Sequence, residues 1–153
     1  MNVKTTYDRS ADFASYRTFA QAPEPPSIDN LPGYGEVTGR LIQRRIASKL
    51  EDKGLHEASW DEADLHVRFL IGGQTYQPAD DPVAQAWADP TVTEPEEYVD
   101  ASLVIEMADR RRGRRVWHGC ANEEVFSQTA DGEEILRAVD SVLEKYPPSS
   151  RQK

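Results

Sequence analysis

Cysteine is the first thing missing. Cys120 stands alone in 153 residues, so no intrachain disulfide can staple the fold, and pairing says nothing about compartment. Nowhere does the chain gather the roughly 20 consecutive apolar residues that cross a bilayer. Met1 to Tyr7 alternate polar and apolar residues instead of building the apolar core of a signal peptide. As it stands the sequence is expected to be soluble, and a leader trimmed ahead of Met1 would leave no trace in it. Histidine is scarce too: His56, His66 and His118 lack the spacing that sets two ligands on one helical turn or ribbon, and no metal site is expected. The chain has no Gly-x-Ser-x-Gly elbow, no phosphate-cradling glycine loop and no Cys-x-x-Cys, so no catalytic residue and no cofactor is expected. Positive charge is in deficit as well. A net charge of −9 and a pI near 4.8 repel a phosphate backbone and argue against general nucleic-acid binding.

What the chain does hold is patterned. Its length suits a single domain with one real core. The mean hydropathy is only −0.70, but the apolar residues fall into periodic runs that a disordered polar chain lacks. Asn2 to Tyr7 reads as a strand with Val3, Thr5 and Tyr7 on one side, closed by Asp8, Arg9 and Ser10. Phe13, Tyr16 and Phe19 then recur at three-residue spacing, which predicts a tight turn anchored by aromatics and a short strand over Arg17 to Ala20. Pro23, Pro25, Pro26 and Pro32 exclude regular structure up to a helix over Glu36 to Lys53. Val37, Leu41, Ile42, Ile46 and Leu50 make its apolar stripe. Gly54 predicts a left-handed cap with Leu55 folding back on the last turn.

Ala63 to Ile71 alternates Leu65, Val67, Phe69 and Ile71 with their neighbours, the pattern of a strand with one buried face. Residues 72–97, crowded with proline, acids and small side chains, read as one long loop. Tyr98 to Met107 and Arg114 to Glu123 make a hairpin around Asp109 to Gly113. The last helix takes Asp131 and Glu134 as a capping box, puts Ile135, Leu136, Val139, Val142, Leu143 and Tyr146 on one stripe, and stops at Pro147 and Pro148. These elements predict one α+β domain over residues 1–148 followed by a disordered tail, 149–153. Its expected core is a mostly antiparallel sheet of about five strands with both amphipathic helices on one face, the other face left to solvent.

Arg110, Arg111, Arg112, Arg114 and Arg115 crowd the hairpin turn. Guanidinium forks suit phosphate, carboxylate or lipid headgroups, but an exposed charge run is equally a solvated, self-repelling turn. Tyr76 and Trp87, in the long loop, are candidates for contacting a partner or for tacking the loop onto the domain. Alternation sets Trp117 opposite Val116, His118 and Cys120 and leaves open which side meets the helices. Cys120, with no base placed beside it, is expected to be a small buried hydrophobe.

Three segments, in order and well separated, resemble the bacterial family known as domain of unknown function 4136. The first is Asp12-Phe13-Ala14-Ser15-Tyr16-Arg17-Thr18-Phe19 behind the Tyr7-Asp8 strand end. The second is Leu103 to Asp109 leading into Val116-Trp117-His118-Gly119-Cys120-Ala121, with His118 where the family more often has arginine. The third is Ile135 to Pro148, a closing helix ending in an aromatic and two prolines, and Asp64 to Val67 resembles a further family strand. The resemblance spans nearly the whole chain. It implies an exported domain, periplasmic or tethered to the outer membrane by a lipidated cysteine ahead of the first strand, and it brings no catalytic residues with it. Cys120 lies inside a predicted strand and is not that anchor, so the implied tether requires a leader removed ahead of Met1. The function expected on this footing is a non-enzymatic binding or assembly role, with an envelope protein as partner and a membrane surface nearby. The alternative is a small hydrolase-like or ligand-processing enzyme with its site near residues 72–97 and His66.

Overall fold

A computed structural model describes residues 3–21, 36–70, 103–121 and 132–148. Strand β1, Val3–Tyr7, half-buries its odd residues and exposes its even ones, as its alternation predicts. A single 3-10 turn at Phe13–Ser15 leads into β2, Thr18–Gln21. Phe19 is fully buried, while Phe13 and Tyr16 pack against the core from its margin. Phe13 sits edge-on to Tyr7 at 6.0 Å and to Tyr16 and Tyr146 at 5.8 Å, a geometry favoured by the ring quadrupoles. The expected aromatic anchor is therefore a cluster that ties the turn to the chain's closing segment.

Helix α1 runs over Glu36–Asp52. It ends at Gly54, whose φ is +95°. The Leu55 N–H donates to the Leu50 carbonyl at 3.1 Å and the Gly54 N–H to the Glu51 carbonyl at 3.0 Å, the Schellman pattern. Leu55 is buried under that last turn. The chain then pairs briefly as β3, His56–Glu57, and continues into β4, Leu65–Leu70, β5, Leu103–Asp109, β6, Arg114–Ala121, and helix α2, Gly132–Leu143. The strand order is β1-β6-β5-β4-β2-β3.

Two features differ from the expected sheet. It has six strands, and it is mixed: β2 runs parallel to both β3 and β4, while β1–β6, β4–β5 and β5–β6 are antiparallel. The cause lies in α1. A helix between two neighbouring strands returns the chain to the end where it started, so β3 must lie parallel to β2. Strand β3 is only two residues long and carries no alternation to read.

Ile42, Ile46 and Leu50 of α1 and Val139, Val142 and Leu143 of α2 are fully buried against Leu65, Val67, Ile105 and Met107 of the sheet. Across this layer Arg45 donates to both Asp140 oxygens at 2.7 and 2.6 Å. Leu41, expected in the buried stripe, is 41% exposed; it stands about 100° around the helix from Ile42, outside the arc covered by the sheet and α2. Trp117 resolves toward the helices, 1% exposed and edge-on to Tyr146 at 5.6 Å. Gly119 makes room for it: a Cβ there would lie 2.7 Å from both the Trp117 ring and Val142. The face expected to be solvated is exposed at Lys4 and Thr6 of β1 but not over β5 and β6. Val104, Glu106, Ala108, His118 and Cys120 point away from the helices, yet all are buried. Asp131, the side chains of its capping partner Glu134 and of Val37 and Ile135, the loop 72–97 and the tail 149–153 lie outside the described residues.

Candidate functional site

The face away from the helices carries a row of ionisable side chains. Arg68 of β4 stands opposite Glu106 of β5, and Glu106 opposite His118 of β6. Glu106 is completely buried, which is costly for a carboxylate unless its oxygens are satisfied. Both are: Arg68 Nε donates to Oε2 at 2.7 Å and Arg115 Nη1 to Oε1 at 3.0 Å. His118 is buried beside them. Burial first, and then the Arg115 charge, hold its imidazole at about 3, so it is neutral at physiological pH. Cys120 continues the row. Burial pushes its thiol up, with a smaller opposing pull from the Lys4 N–H and ammonium, leaving it protonated where a nucleophile would need to be a thiolate. The row stores paired charge inside the sheet.

The hairpin arginines divide into two groups. Arg114 makes a short ionic hydrogen bond to Asp8, which also accepts from Ser10 N at 2.9 Å and Ser10 Oγ at 2.6 Å. Burial pushes the Asp8 carboxyl up, but these bonds and the Arg114 charge outweigh it and hold the group at about 2. Arg110 Nε donates to the Ala63 carbonyl at 2.7 Å, and Arg115 is taken by Glu106. The turn itself is pinned by Asp109, whose Oδ1 accepts from the N–H groups of Arg111 and Arg112 at 2.9 and 3.1 Å, with Gly113 at φ +66° closing it. Arg110, Arg114 and Arg115 are thus turned into the fold. Arg111 and Arg112 remain exposed, although Arg112 also reaches Ser10 Oγ at 3.2 Å and pairs with Asp8 at 3.5 Å.

A groove of about 570 Å³ runs between α1 and the β2–β3 edge, lined by Gln21, Arg40, Gln43, Arg44, Ser48, Glu51, Glu57 and Trp60 over an alanine floor. Trp60 is 37% exposed. His66 stacks on its indole, ring centres 3.5 Å apart and planes 12° from parallel, and His66 Nε2–H donates to the Trp60 carbonyl at 2.6 Å. That imidazole is committed to holding the tryptophan. Sequence reasoning passed over this groove because its residues come from three separated segments. The available signal was Trp60 itself, a large aromatic set in a polar turn between Ser59 and Asp61. Tyr76 and Trp87 lie outside the described residues. Among the described residues no three His, Cys, Asp or Glu side chains gather as a metal site, and no helix is long and apolar enough to cross a membrane.

The described residues define a class: a mixed six-stranded sheet with two helices on one face, joined in the order β1-β2-α1-β3-β4-β5-β6-α2. Residues 3–148 match the model of the family described as Domain of unknown function (DUF4136), and the chain belongs to that family. A DUF4136 family protein of Bacteroides thetaiotaomicron shares the fold at a TM-score of 0.60 and 20% identity, over 95% of each chain. A PDZ domain protein of Parabacteroides distasonis matches at a TM-score of 0.58 and 20% identity, over 97% of this chain and 36% of the other. A PelC dodecamer of Paraburkholderia phytofirmans matches at 0.52 and 14% identity, over 93% of each chain. No curated protein matches. At these identities the likeness is one of fold.

Proposed function

We propose that this chain is a non-enzymatic recognition or assembly domain of the bacterial cell envelope. The groove between α1 and the β2–β3 edge carries the reading: an exposed indole, amides, guanidiniums and carboxylates around an open trough make a surface for recognition. Among its described lining residues are neither His66, His118 nor Cys120. Those three groups are engaged in packing, one under Trp60 and two inside the far face of the sheet. The PelC chains of similar fold, described as dodecamers, support assembly as a use of this architecture. The envelope part rests on the resemblance of the Asp12–Phe19, Leu103–Ala121 and Ile135–Pro148 segments to lipoprotein relatives. Arg111 and Arg112, exposed at the hairpin tip, supply a second contact for an anionic group.

Mass spectrometry of the native N-terminus, combined with crosslinking in the protein's own cells, tests the reading. The expected result is a processed or lipidated N-terminus, and an envelope protein whose recovery falls when Trp60→Ala and Arg44→Ala are combined. An unprocessed cytoplasmic chain, or partners recovered equally with the double variant, would contradict it.

A further inference from the structure

The sheet has unequal edges. One is β3, two residues long; the other is β1, whose five residues pair with β6 alone among the described strands. A strand bonded on one side only presents a row of backbone donors and acceptors on the other. Which residues supply that row follows from a single bond. The Asp8 N–H donates to the Val116 carbonyl at 2.8 Å, and Tyr7 stands opposite Trp117, so Asp8 and Val116 are a hydrogen-bonded pair. Bonded pairs recur at every second residue of an antiparallel ladder. That assigns Thr6 and Lys4 to β6 and turns the N–H and C=O of Thr5 and Val3 outward.

The devices that blunt an edge are mostly missing here. Strand β1 has no proline, and its register with β6 runs from Val3 to Tyr7 without a bulge. Its side toward the helices is only half covered at Val3, Thr5 and Tyr7, and Lys4 and Thr6 are exposed on the other side. It carries no acid in a chain of net charge −9, so the long-range repulsion between two acidic copies is not reinforced at this strand. Val3-Lys4-Thr5-Thr6-Tyr7 is also self-complementary when it runs antiparallel to itself. With Thr5 opposite Thr5, Val3 falls beside the half-buried Tyr7 of the other copy, a β-branched and aromatic cross-strand pair. Lys4, the one charge, then falls opposite Thr6 of the other copy.

We infer that two copies of the chain join edge to edge, β1 antiparallel to β1 about a two-fold axis at Thr5, so that their six-stranded sheets continue into each other. The contact is isologous and closed, since each copy spends its one long free edge in making it. Five residues span about 17 Å, a short seam, which puts the dimer in the small, transient class of interfaces. No groove residue takes part, so the inference goes beyond the recognition reading and does not depend on it.

Sedimentation equilibrium of the full chain between about 10 µM and about 1 mM, where weak contacts become populated, tests this. The wild type should pass from monomer to dimer and stop there. Thr5→Pro removes an outward N–H and no bond to β6, and should abolish the dimer. Thr6→Glu sets a carboxylate opposite Lys4 of the other copy and should tighten the dimer about threefold or more, whereas Thr6→Lys sets like charges opposite each other and should weaken it about as much. Thr6 is exposed, so these two variants read the seam even if circular dichroism shows that Thr5→Pro fails to fold. A wild type monomeric throughout, assembly beyond a dimer, a dimer that folded Thr5→Pro leaves intact, or Thr6→Glu and Thr6→Lys acting in the same direction would overturn the inference. Trp60→Ala with Arg44→Ala should leave the dimer unchanged; its loss there would move the contact to the groove and overturn the edge pairing while leaving the recognition reading in place.

Discussion

Glu106 sits within the apolar run Leu-Val-Ile-Glu-Met of β5, and it is buried with both oxygens held by arginines. Removing one partner of such a group leaves uncompensated charge in a low-dielectric interior. Glu106→Ala should lower unfolding free energy in urea by about 3–5 kcal/mol; a loss below about 1 kcal/mol would show that the arginines are solvated. His118 gives a pH dependence whose sign is fixed. Burial and the Arg115 charge hold its folded imidazole at about 3, below the ordinary 6.5, so between those values the unfolded chain binds the extra proton and is favoured. Stability from this group is complete above about pH 6.5 and falls as pH drops, by about 2 kcal/mol between pH 6.5 and 5. Asp8, held at about 2 against 3.8, adds a further loss below about pH 4. His118→Leu should flatten the stability slope between pH 5 and 6.5 relative to wild type, and an unchanged slope would contradict this account.

Among the elements, two glycines act for different reasons. Gly54 has open space around it and a φ of +95°, so Gly54→Ala is penalised by backbone conformation alone, about 1–2 kcal/mol. Gly119 has an ordinary backbone but stands where a methyl group would meet Trp117 and Val142 at 2.7 Å. Gly119→Ala should cost about 1–3 kcal/mol through overpacking, and adding Val142→Ala should recover part of that loss while leaving Gly54→Ala unaffected. Thermal unfolding of the single and paired variants reads both effects. Gly54 was legible in the sequence because a helix stripe ending at glycine and leucine spells its own cap. The β5–β6 hairpin and the apolar faces of both helices were legible for the same reason: the periods of 2 and 3.6 are local properties. Strand β3 has two residues and no period. The parallel pairing of β2 follows from a helix crossover whose neighbours only the fold reveals. Leu41 and Ile42 are adjacent apolar residues, and sequence does not say which one the sheet covers. In the site, Arg68 and Glu106 were visible as single charges in apolar strands, but the row they form is a register property of three strands. The groove was legible only in Trp60, since its lining is assembled from a helix, strands β2 and β3, and a turn.

At the scale of the whole molecule, strands β5 and β6 are buried on both faces, although the two described helices cover only one. Trp117 and the leucine-rich interior lie on one side; Val104, Glu106, His118 and Cys120 lie on the other. His118 and Cys120, which sequence alone would consider for catalysis, are thereby packed into the scaffold. Arg45 and Asp140 join α1 to α2 at the surface, with side-chain exposures of 40% and 20%, and Arg45→Ala should cost far less stability than any break in the buried row. The sealed far face is the claim that separates a recognition domain from an enzyme, and the single cysteine offers a direct test of it. The rate at which Cys120 reacts with a thiol reagent should be followed in the full chain across a urea series. The account predicts labelling only through global opening, with the same free energy and urea slope as unfolding itself. Labelling in the absence of urea at a rate near that of an unstructured thiol would show an open far face and contradict it.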